Sequence, residues 1–75
     1  MATHEDAQLI IAIKAGETLG TLVKHDVLDA ELVLDLWAVR ALWERVGPAA
    51  MKSREATGEP RRWENFEALA ARDDA

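Results

Sequence analysis

From Asp6 to Lys24 the apolar or small residues Leu9, Ala12, Ile13, Gly16, Leu19, Gly20 and Val23 recur at intervals of three and four, while Lys14, Glu17, Thr18, Thr21 and Lys24 take the opposite side. This spacing predicts one amphipathic helix over residues 6–24. A glycine inside a helix costs about 1 kcal/mol relative to alanine. Gly16 and Gly20, in line with Ala12 on the apolar stripe, therefore imply that another helix comes close. The competing reading makes Gly16 the C-cap of a first helix and Glu17 the start of another; the unbroken period across Gly16 favours continuity.

The period lapses at His25 and Asp26, and Asp29 is suited to cap a second helix over residues 30–46, antiparallel to the first. That helix carries Leu32, Leu36, Val39, Trp43 and Val46 on one stripe, Val33, Trp37 and Ala41 on another, and Leu34 and Leu42 besides. It is apolar on more than one side, and so short a chain has too little left to cover it, so a second copy is the economical cover. Asp35 has no basic residue three or four positions away. Either it pairs between helices or subunits, or it marks the solvent edge.

Gly47-Pro48 removes a backbone donor and predicts the end or a kink of the second helix, with Pro48 opening a third segment over 48–57 and Gly58 capping it. Pro60 opens a last helix over 60–71, in which Trp63, Phe66 and Ala70 share a face with Leu69 beside them; residues 72–75 are expected to fray. No strand-like alternation persists. The expected fold is an all-α single domain spanning 1–75: a helical hairpin plus one or two short C-terminal helices, forming an intersubunit bundle as a homodimer or tetramer.

Composition strengthens the case for self-association. In 75 residues a lone core barely offsets the entropy of ordering the chain. There is no cysteine for a disulfide, and two histidines offer no structural zinc set. Hydrophobic residues make up 49% against 31% charged, a globular balance, and the net charge of −5 disfavours broad attachment to DNA or acidic lipid. The start lacks the basic region of a secretory signal, and the apolar run Leu9 to Ile13 is only five residues long, so no membrane span and a cytoplasmic location are expected.

Candidate chemistry is sparse. His4, Glu5 and Asp6 with His25 and Asp26 are the nearest approach to a metal set, but a helix over 6–24 holds its ends about 27 Å apart. The bland reading is solvated polar residues at helix ends. No nucleophile triad and no phosphate-cradling glycine loop occurs, so neither an enzyme nor a bound cofactor is expected.

Charge is unevenly placed. Residues 1–39 hold two basic and seven acidic side chains, residues 40–62 six and three, and residues 63–75 one and four. Arg40, Arg45, Lys52, Arg54, Arg61 and Arg62 beside Trp63 form the alternative candidate, a patch contacting phosphates and stacking on a base. Glu44, Glu55, Glu59 and Glu64 interleave with it and argue for solvated faces and ion pairs instead.

The segments Gly16-Glu17-Thr18-Leu19-Gly20-Thr21, Leu28-Asp29, Trp43-Glu44-Arg45-Val46-Gly47-Pro48-Ala49-Ala50, Arg54, Gly58-Glu59-Pro60-Arg61 and Trp63 through Ala70 together resemble a family of short bacterial all-helical proteins of unknown function. The resemblance spans about residues 9–70 and implies a bacterial source and a helical fold. It implies no catalytic residue. The function read from the sequence is that of a self-associating scaffold or interaction protein, with nucleic-acid contact as the alternative. The expected interface consists of Ala12, Gly16 and Gly20 with Val33, Trp37 and Ala41, the two stripes hardest to satisfy within one chain; the alternative is that the first stripe packs on the second helix of the same chain.

Overall fold

The computed structural model describes residues 4–73, with side chains from Ala7 onward. Four helices follow in order: α1 (His4–Lys24), α2 (Ala30–Leu36), α3 (Val39–Thr57) and α4 (Glu64–Ala71). No strand occurs among the described residues; the fold is all-α. Helices α1, α3 and α4 pack on one another, and α2 bridges α1 to α3.

Helix α1 runs unbroken through Gly16 and Gly20, as the continuous period predicts. It ends at a turn in which Asp26 adopts φ 61°, a left-handed conformation that aspartate tolerates better than most residues, and the Val27 and Leu28 N–H groups both donate to the Leu22 carbonyl. Asp29 then caps α2 as expected, its Oδ1 accepting from the Glu31 N–H at 3.3 Å.

The second helix is broken earlier than its pattern suggests. The expected helix 30–46 is two helices, with Trp37 in extended backbone between them, while α3 continues through Gly47-Pro48 to Thr57. Two physical causes account for this correction. Val33 and Val39 both enter the core, at 1% and 2% exposure, and the bend at Trp37–Ala38 allows it. Around Pro48, Val46, Gly47 and Ala50 are buried, so tertiary packing offsets the roughly 3 kcal/mol that an interior proline costs. Gly47 also lacks the Cβ that would clash with the following proline ring.

Gly58, in the left-handed region at φ 69°, caps α3 as predicted. The last helix begins at Glu64, later than the expected residue 60, because Trp63 itself sits at φ 66° and residues 59–63 form turns.

The core consists of Ile13, Val23, Ala30, Val33, Val39, Val46, Ala50, Phe66, Leu69 and Ala70. Phe66 is the largest fully buried side chain, and its ring meets that of Trp43 edge-on at 5.0 Å between centroids. Trp63 packs half-buried against the same core.

Candidate interaction surface

The glycine stripe of α1 is covered from within the chain. A Cβ on Gly16 would lie 2.5 Å from Cε2 of Phe66, and one on Gly20 would fall on the backbone carbonyl of Asn65. The close helix that the glycines require is therefore α4 of the same chain, which corrects the expected role of Gly16 and Gly20 between subunits. Polar groups of the same segment complete the contact. Glu17 Oε1 accepts from the Phe66 N–H at 2.9 Å, and Thr21 Oγ1 accepts from Asn65 Nδ2 at 3.1 Å.

Glu17 thereby caps α4, whose own N-cap residue, Trp63, supplies no side-chain acceptor. Helix α3 is completed in the same way. Its N-cap, Ala38, has no capping side chain, and Asp73 Oδ2 accepts from the Arg40 N–H at 3.2 Å. Asp73 is 6% exposed, so the expected fraying does not begin at Arg72; residues 74 and 75 lie outside the described residues.

The basic block is largely neutralised by its neighbours. Arg40 pairs with Glu44 at 3.4 Å, Arg61 with Glu64 at 2.8 Å and Arg62 with Glu59 at 3.2 Å. Arg54 is mostly buried: it donates to the Arg62 carbonyl at 2.6 Å and to Glu67 at 3.0 Å, tying α3 to the turn and to α4. The hydrogen bond from Arg61 holds the Glu64 carboxyl below the usual carboxylate range and raises the Arg61 guanidinium correspondingly. Arg61 is exposed and Glu64 half-exposed, so this pair contributes little stability. Arg62 lies 4.6 Å over the Trp63 ring, covering a face on which a base would stack. Arg45 and Lys52 are exposed and, among the described residues, belong to none of these ion pairs.

His25 and Asp26 lie exposed in the turn after α1, the side chains of His4, Glu5 and Asp6 lie outside the described residues, and no metal-competent cluster of three occurs among those described.

The expected interface residues divide in two. Gly16, Gly20 and Val33 are buried in this chain, and Ala12 is half-buried against its core. Trp37 and Ala41 remain exposed. Around Trp37, which is 51% exposed, Leu32 and Leu36 are 53% and 62% exposed, and Val27 is open before them. Leu32 and Leu36 share a face of α2 at a spacing of four, and Trp37 follows at the helix end. Asp35, on the same helix, is exposed and takes part in none of the four described ion pairs, in keeping with its solvent-edge reading. A second apolar surface lies between α1 and α3, where Leu9, Ile10, Ala49, Ala56 and Trp63 line a groove beside exposed Ile11.

Sequence reasoning missed Glu17 and Asp73 as caps and Arg54 as a tie. A signal existed for the first two: helices starting at Ala38 and Trp63 lack a side chain able to cap them, so acceptors must come from elsewhere. It becomes readable only when the helix starts are known.

No helix among the described residues is long and apolar enough to cross a membrane. A family model described as "Domain of unknown function (DUF4760)" matches residues 2–72. No curated protein and no solved structure matches the chain.

Proposed function

The chain belongs to the DUF4760 family, a domain of unknown function, and we propose that it works as a small self-associating helical interaction module of the cytoplasm, a homodimer or tetramer whose contacts centre on α2. One observation carries this reading: a seven-residue helix exposes Leu32 and Leu36, and Trp37 beside them, while the core behind it is already closed by Val33. Single exposed apolar residues are ordinary, but three adjoining ones, including a tryptophan, have the composition of an interface centre.

Nucleic-acid contact through residues 40–62 is the weaker reading, because four of the six cations there are held in ion pairs and the Trp63 face is covered. Mass by light scattering after size exclusion, over a wide dilution series, tests the proposal. A dimer or tetramer that dissociates only at low concentration is expected. A monomer throughout would overturn it.

A further inference from the structure

Two grooves of opposite charge adjoin on one end of the molecule, and Arg72 lines both. The first lies between the C-terminal end of α1 and α4. Gly20, Val23 and Leu69 form its buried apolar floor with exposed Ala68 beside them, and Lys24, Arg61 and Arg72 line it, Arg61 being paired with Glu64, the carboxylate that lines it among the described residues. The second runs along α2, where Asp29, Glu31 and Asp35 face solvent beside Leu32 and Leu34. Glu31 and Asp35 stand one helical turn apart, in step with Leu32 and Leu36. Among the described residues, Lys24, Arg72, Glu31 and Asp35 take part in none of the four ion pairs.

We infer that a second copy of this chain docks here about a two-fold axis, with Glu31, Leu32 and Asp35 of each protomer seated against Lys24, Arg61 and the apolar floor of the other. The inference rests on the self-association proposed above and names its surface. A patch that is basic on one side of an axis and acidic on the other is complementary to itself when rotated by half a turn, which is what a closed symmetric dimer requires. The charges set orientation and partner choice, and Leu32 meeting the exposed Ala68 adds apolar burial. The groove between α1 and α3 has no such complement among the described residues, where its only charged lining residue is Lys52.

The test uses two charge-reversed forms of the full chain: E31K with D35K, and K24E with R61E. Each alone places like charges opposite one another twice in a symmetric pair, so each is expected to weaken dimerisation by about tenfold or more. Mixed together, they restore opposite charges at both contacts. An equimolar mixture is expected to form a heterodimer near wild-type affinity, read by light scattering and native mass spectrometry, and helical circular dichroism of each form alone shows that it folds. Dimerisation of the wild type should also weaken as salt rises. If the wild type dimerises and the reversed forms dimerise equally well, or the mixture does not pair, the docking geometry is overturned while self-association stands. A wild type that is monomeric at every concentration overturns both.

Discussion

Replacing Gly20 with alanine is expected to destabilise the protein by about 3 kcal/mol or more, at the upper end of overpacking costs. The sign is the informative part. On helix propensity alone, alanine in place of an interior glycine should stabilise by about 1 kcal/mol. The added Cβ falls on the backbone carbonyl of Asn65, so no rotamer change relieves it; α4 must withdraw, taking Phe66 out of the core and pulling its N–H from Glu17. A 75-residue domain has only about 4–11 kcal/mol in total. Urea denaturation at one fixed protein concentration should show a large fall in midpoint; a midpoint that is unchanged or raised would remove the close contact between α1 and α4 from the account.

Truncating Phe66 to alanine should cost about 3–5 kcal/mol, because a fully buried aromatic leaves both lost burial and a cavity. Its ring fills the space that Gly16 leaves on α1 and meets Trp43 of α3, so one side chain joins three helices. The near-ultraviolet circular dichroism of Trp43 should weaken together with stability. The corresponding change at Trp63, which is only half-buried, should cost less than that at Phe66. Equal losses at the two positions would contradict the core as described.

The pattern of apolar positions was enough to read α1, the turn after it, the cap at Asp29 and the cap at Gly58, since each depends on neighbours in sequence. The break at Trp37–Ala38 was not legible, because the periodicity over 30–46 is satisfied equally by one helix or two. What decides is the burial of both Val33 and Val39 in the core, and Asp73 capping α3 from 33 residues away. Pro48 misled for the same reason: a local rule with a cost of about 3 kcal/mol was outweighed by burial on both sides of it. At the candidate surface, the glycine stripe correctly announced a close helix contact. The identity of that helix depended on α4, whose first turn lacks a capping side chain of its own and docks through Glu17 and Thr21 of α1. Trp37 and Ala41 remained open because the bend at Trp37 turned their side chains away from the core that claimed Val33.

Hydrogen exchange, followed segment by segment at low and high protein concentration, asks whether α2 is the surface through which copies of this chain meet. Amides of residues 31–38 should exchange more slowly in the concentrated sample, with a smaller gain around Lys24 and Arg61, while the buried contact between α1 and α4 should be unaffected. Identical exchange at both concentrations, or protection gained at Ile10 and Ile11 instead of α2, would contradict it.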